Sequence, residues 1–180
     1  MTAKRLNLGC GTDIRPGWVN LDSADLTGVD VVHDLDRLPL PFEEGAFEMV
    51  ECQDILEHVD LVPVLRDLHR ILAPGGRLRI RSPHFTSSAY HIDPTHRRAF
   101  SIRTLDFFVS DSQFERDYYF DFHFSGVEQA RILFHKTRGQ PWNFLVEPLF
   151  NLHSKLQSYY EATFLARMFP ALNVQVTLVK

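Results

Sequence analysis

The 180-residue chain is poor in cysteine. Its two, Cys10 and Cys52, are too few for the disulfide framework of a small secreted scaffold. It also lacks any run approaching the ~18 consecutive apolar residues of a membrane-spanning helix, and no secretory leader opens it. The expectation is a soluble, cytoplasmic protein with no membrane partner. Charge of one sign is lacking too: the net charge is −4 and the pI about 6.1, so there is no overall electrostatic footprint for nucleic acid and no such partner is expected. Internal repeats, low-complexity tracts and long linkers are absent, which leaves one domain, residues 1–180, large enough for an ordinary core.

What is present begins with Leu6-Asn7-Leu8-Gly9-Cys10-Gly11-Thr12, which reads as a β-strand breaking into a glycine turn. Glycine tolerates positive φ and lets a ligand approach the backbone. In a parallel α/β sheet, ligands bind outside the carboxyl ends of the strands, so this turn marks the floor of a candidate site. A dinucleotide fingerprint would need a small residue at position 14, where the chain has Ile14. Further strands are expected at Trp18–Asp22, Val29–Asp34 and Phe47–Cys52, the first two of these ending on Asp. Apolar residues from Ile55 to Ala73 are spaced for an amphipathic helix, with Pro63 near its first turn or dividing it and Pro74-Gly75-Gly76 stopping it. A fifth strand through Leu78 and Ile80, a sixth at Ala130–His135, mostly helix over Phe144–Met168 and a last strand at Asn173–Lys180 complete the reading.

These residues resemble the class I S-adenosylmethionine-dependent methyltransferases, in the small single-domain type 11-like group. The resemblance rests on Leu6-Asn7-Leu8-Gly9-Cys10-Gly11, Asn20-Leu21-Asp22, His33-Asp34-Leu35, Pro39-Leu40-Pro41-Phe42, Ile55-Leu56-Glu57-His58 and Leu72-Ala73-Pro74-Gly75-Gly76, in the family's order. It implies an α/β, Rossmann-like three-layer sandwich with a mostly parallel seven-stranded sheet. Residues 1–83 would be the cofactor-binding half, and residues 84–180 the substrate-side loop, aromatic region and closing strands. It implies S-adenosylmethionine as cofactor and methyl transfer to a small-molecule acceptor. Gly9, Cys10 and Gly11 would lie against the cofactor's amino-acid part and Asp22 would accept from the ribose hydroxyls. Asp34 would take the adenine amino group with Leu35 beside the ring, and Gln53 and Asp54 would face the methionyl end. Many members have histidine where this chain has Asp54.

The chain departs from the family pattern in another way. Ten residues separate Gly11 from Asp22 and six separate Asp22 from Val29, too few for crossover helices with their loops, and no helix fits before the first strand. Arg5 and Asn7 alternate with Leu6 and Leu8, and Arg77, Arg79 and Arg81 with Leu78 and Ile80. Strands covered on both faces read as continuous apolar runs, so one sheet face is expected to be polar, with its crossover helices shortened or missing. A homo-oligomer formed through that face is one way to cover it.

Candidate reacting groups are the histidines. His58 follows the fourth strand, and the run from His84 to His96 follows the fifth, where the crevice opens, as a wall or lid. His58 and His96 are the candidate catalytic residues, since an imidazole titrates near neutral pH. His91, Asp93 and His96 match no established metal-site spacing and no metal is expected. Arg97 and Arg98 suit an anionic acceptor. Twelve of the fifteen phenylalanines lie at or after Phe100; the aromatics from Phe100 to Tyr119, including Phe107, Phe108, Phe114, Tyr118 and Tyr119, read as core or as the lining of an apolar pocket, and so do Tyr159 and Tyr160. A non-catalytic S-adenosylmethionine or S-adenosylhomocysteine-binding protein, or an inactive partner subunit, is the alternative function.

Overall fold

The structure is a computed structural model that describes residues 4–110, 112–115 and 117–180. Seven strands, β1 (Arg5–Leu8), β2 (Val19–Asp22), β3 (Val31–Val32), β4 (Phe47–Gln53), β5 (Leu72–Pro83), β6 (Gly126–Leu133) and β7 (Asn173–Val179), form one sheet in the order β3-β2-β1-β4-β5-β7-β6. The first five are parallel, and β7 runs antiparallel between β5 and β6. The helices are α1 (Leu61–Ile71), α2 (Ser88–Ile92), α3 (Asn143–Phe150), α4 (Ser154–Ala162) and α5 (Leu165–Met168), with two 3-10 turns between α2 and β6.

The register divides the sheet into two unlike faces. Leu21, Leu8, Cys52, Ile80, Val176 and Ala130 are neighbours on one face, as are Val19, Leu6, Val50, Leu78 and Leu178. These join Val64, Leu65, Leu68 and Ile71 of α1 in a single core. The opposite face carries Asn20, Asn7, Glu51, Arg79, Thr177 and Gln129 in one row, and Gln53, Arg81, Gln175 and Arg131 in the next. Arg77, Arg79 and Arg81 keep side-chain exposures of 47%, 43% and 37%, so no helix covers them, as their alternation implies.

The connection from β1 to β2 explains why the sheet beneath it is polar. It is a loop, not a helix, and it brings backbone polar groups down onto the strands. Asn7 donates to the Asp13 carbonyl at 2.7 Å, the Arg15 amide donates to Asn20 Oδ1 at 2.9 Å, and the Arg15 guanidinium meets Glu51 at 3.0 Å. Asn7, Asn20 and Glu51 are buried by these contacts, and buried polar groups must be hydrogen-bonded. Farther out, Arg77 pairs with Glu128 at 2.7 Å and Arg81 with Asp54, while Arg79 lies 3.7 Å from Glu51 with its Nε unbonded among the described residues.

The other edge of the sheet is closed by side chains. Asn151 Nδ2 donates to the Ile132 carbonyl at 2.7 Å while its Oδ1 accepts the Ile132 amide at 2.8 Å, and Gln157 donates to the Ala130 carbonyl. This blunts β6, which would otherwise offer unpaired backbone to another chain. The segment Phe144–Met168 is broken into α3, α4 and α5, and Asn151, bonded to the strand, lies in the break between α3 and α4. Tyr160 is fully buried against Phe134 and Phe150, but Tyr159 is 56% exposed and is not core.

α1 begins at Leu61, so Ile55 to Asp60 is a turn and the expected helix is six residues too long at its start. Ile55, Leu56 and Val59 are apolar because the core takes them in, not because they are helical. Pro63 falls in the first turn of α1, where its missing N–H costs nothing. At the far end of the helix, buried Asp67 accepts the Leu40 amide at 2.7 Å and the Arg70 guanidinium at 2.6 Å, and Arg70 also donates to the carbonyls of Leu40 and Phe42. This clamp holds the 38–42 segment on the core. Asp67→Ala leaves the buried Leu40 amide unpaired and strips the Arg70 guanidinium of its carboxylate, and is expected to cost about 2 kcal/mol, read as a lower urea midpoint; a change under about 0.5 kcal/mol would refute the clamp.

Candidate active site at the carboxyl ends of the strands

β1 ends at Leu8, and the chain turns through Gly9 and Gly11 with φ of 65° and 48°. The two glycines answer to different constraints. A Cβ on Gly9 would stand 2.5 Å from the Ile55 side chain, whereas a Cβ on Gly11 would meet nothing within 4 Å. Between them Cys10 is buried, its thiol pushed up first by burial and then by the Asp22 carboxylate. It is a packing residue and not a nucleophile. Cys52 is fully buried, and burial drives its thiol up as well.

Asp22, at the end of β2, is the best-oriented acid of the site. Its Oδ2 accepts the Gly11 amide at 2.7 Å and its Oδ1 accepts the Ala24 amide at 2.9 Å. Two amides fix the carboxylate plane, and each oxygen keeps accepting capacity. Asp34, two residues past β3, is exposed, accepts the Asp36 amide at 3.0 Å and lies 3.6 Å from Arg37; Leu35 beside it is buried in the core.

Gln53 and Asp54 end β4. Gln53 bonds Glu51 on the polar face, and Asp54 is tied to Arg81 and to Asn173 Nδ2 at 3.0 Å. Asp54 has φ of 52°, a left-handed conformation uncommon outside glycine, at the point where the backbone leaves the sheet for the crevice.

Three loops rise beside this edge and are stitched together. The Arg97 amide donates to the Glu57 carbonyl at 2.7 Å, and the Arg97 guanidinium meets Asp36 at 2.7 Å, joining the loops after β3, β4 and β5. Arg97 is therefore engaged within the chain and is not a free cation for an anionic acceptor. His58 and His96 come together with ring centroids 4.6 Å apart. Burial, then the neighbouring His96 and Arg97, lowers the His58 pKa below its ordinary value despite Asp93 and Asp54 nearby. His91 stays exposed, and His84 is fully buried, bonded to Glu161 and Thr86, so it belongs to the scaffold. Sequence reasoning assigned no role to Glu57, which is 0% exposed and lies next to this pair.

A cavity of about 620 Å³ lined by Lys4, Trp18, Val19, Asp30, Phe42 and Phe47 lies at the opposite, amino-terminal edge of the strands. It lacks the glycine turn and the fixed carboxylate, and the strand-end rule favours the other edge.

Residues 4–80 match the type 11 methyltransferase domain family. That match to a methyltransferase domain covers less than half of the chain. The family's cofactor is S-adenosylmethionine. Among curated relatives, a ubiquinone biosynthesis O-methyltransferase of Pseudomonas aeruginosa is 29% identical over 109 residues, covering 48% of this chain and 47% of that one. A demethylmenaquinone methyltransferase of Listeria welshimeri is 35% identical over 66 residues, covering 36% of this chain and 28% of that one. The chain thus spans less than half the length of these relatives. A solved S-adenosylmethionine-dependent methyltransferase from Archaeoglobus fulgidus aligns with a TM-score of 0.62 at 16% identity, covering 99% of this chain and 87% of that one, which shows that the two share a fold.

Proposed function

We propose that the chain transfers a methyl group from S-adenosylmethionine to a small-molecule acceptor at the carboxyl edge of the sheet. The observation that carries this reading is the pairing of Asp22, held by two amides, with the open space above Gly11. A diol needs acceptors at fixed positions, and an ionised carboxylate accepts only. In this reading Asp22 holds the ribose hydroxyls, Gly9, Cys10 and Gly11 surround the amino-acid end, and exposed Asp34 with Leu35 takes the adenine. Gln53 and Asp54 reach the methionyl end only by exchanging the partners they now have. The two curated relatives are named for quinone-related methylation, which supports a small molecule as the acceptor class.

When bound, the cofactor supplies a methyl already activated by its sulfonium, so the protein's task is alignment and, for a hydroxyl acceptor, removal of one proton. His96 Nδ1 faces the Tyr90 carbonyl at 2.9 Å, and a carbonyl only accepts, so that nitrogen carries the hydrogen. Nε2 is left with a lone pair for the acceptor's proton, and His58 packs against the same ring.

The test is transfer of labelled methyl from S-adenosylmethionine to a panel of phenols and hydroquinones. His96→Ala is expected to lower turnover at least 100-fold while cofactor affinity stays within about threefold. Turnover by no acceptor, with binding intact, would make the chain a cofactor-binding protein and overturn the catalytic reading.

A further inference from the structure

Glu57 and His58 follow β4, His96 follows β5, and one ligand atom from each lies within 4.8 Å of the others. Three features set this cluster apart from an ordinary polar patch. Glu57 is fully enclosed with the Ser82 hydroxyl beside it, and neither carboxylate oxygen makes a hydrogen bond of good geometry among the described residues. A buried carboxylate in that state is costly, and a proton or a cation relieves it.

Both imidazoles are also oriented from behind. The Thr95 hydroxyl donates to Asp93 Oδ1 at 2.6 Å, so toward His58 Nδ1, at 2.9 Å, it acts as acceptor. The Tyr90 carbonyl accepts from His96 Nδ1. Each ring is thereby fixed with its hydrogen on Nδ1 and its lone pair on Nε2, the arrangement that outer partners impose on metal-ligating histidines. Finally, Asp93 Oδ2 stands 3.9 Å from His96 Nε2, which brings a further oxygen to the edge of the cluster.

We propose that Glu57, His58 and His96 form a binding site for a divalent cation of the zinc type. Two imidazoles and one carboxylate are a three-ligand set that leaves a fourth, open position. Bonds of about 2.0–2.1 Å in a tetrahedron place ligand atoms about 3.3 Å apart, so binding draws the three side chains inward. The loops that carry them are already joined by the Arg97 amide on the Glu57 carbonyl, which limits how far they separate. The site stands on this geometry alone. Its use rests on the methyl-transfer reading but changes the part His96 plays: with the cation bound, the Nε2 lone pair is a ligand and not a base, and the open position would hold the acceptor's oxygen beside the cofactor crevice and favour loss of its proton to water.

The test uses the full chain, stripped of metal with a chelator and titrated calorimetrically with zinc(II), and with cobalt(II) read by its visible ligand-field absorption. One equivalent is expected to bind and to raise the melting temperature. His96→Ala and Glu57→Gln are expected to weaken binding about 100-fold or more. His91→Ala, which alters an exposed histidine outside the cluster, is expected to leave binding unchanged. Glu57→Gln replaces a buried carboxylate by a neutral isostere and should fold; His96→Ala reads the site independently if it does not. Absence of a bound equivalent, or binding that survives both variants, overturns the proposal. S-adenosylmethionine titrated into the metal-free protein separates the two readings: cofactor binding without zinc binding removes the cation site alone.

Discussion

Asp22→Ala weakens S-adenosylmethionine binding by about 100-fold or more in calorimetric titration, while the protein remains folded. The expectation follows from what the carboxylate has and lacks. It is half-buried at the end of β2, its plane is set by the amides of Gly11 and Ala24, and no cation among the described residues is paired with it. Two charge-assisted hydrogen bonds from a ribose would contribute roughly 3 kcal/mol together, which is the stated factor. Asp22→Asn is the sharper comparison. It keeps the shape and one accepting oxygen but turns the other position into a donor, so it should fall between wild type and alanine. Equal affinity in all three proteins would remove Asp22 from the site.

Gly9→Ala and Gly11→Ala are expected to fail in opposite ways. Both positions have positive φ, which costs a residue with a Cβ about 1 kcal/mol or slightly more. At Gly9 the new methyl would also meet Ile55 at 2.5 Å, and overpacking of this kind adds about 1–3 kcal/mol. Gly9→Ala should therefore lose about 3 kcal/mol of stability, visible as a lower denaturation midpoint. At Gly11 nothing stands within 4 Å, so Gly11→Ala should lose only about 1 kcal/mol. If the open space is where the cofactor lies, the same methyl should still cost at least tenfold in affinity. Unchanged binding in Gly11→Ala would mean that the space above this glycine is solvent.

The sheet was legible because its signals are local. The arginine alternation of β5 predicts a bare face, and the ten-residue gap after Gly11 rules out a covering helix. The consequence of that gap was not legible: Asn7, Asn20 and Glu51 are buried polar residues because the Asp13–Trp18 loop folds back over them, a contact set by tertiary structure. The start of α1 was misread because Ile55, Leu56 and Val59 satisfy helical spacing while being buried by a turn. His58 and His96 are 38 positions apart, and only the placement of two loops brings their rings together. Glu57 carried no signal of its burial, since a glutamate beside a histidine is ordinary in a loop.

The polar face could be read as a surface awaiting a second copy of the chain. Its arginines are instead paired with Glu128, Glu51 and Asp54 of the same chain, so the charges require no second copy. Exposed pairs of this kind contribute little to stability, and their value lies in keeping a bare sheet face soluble.

The central claim is that the cofactor lies at the carboxyl edge, across Gly11 and Asp22. A crystal structure of the complex with S-adenosylhomocysteine tests it most directly. The account predicts ribose hydroxyls within hydrogen-bond distance of Asp22 and the amino-acid end over the Gly9–Gly11 turn. Density for the ligand in the cavity of about 620 Å³ at the amino-terminal edge, with Asp22 untouched, would contradict it.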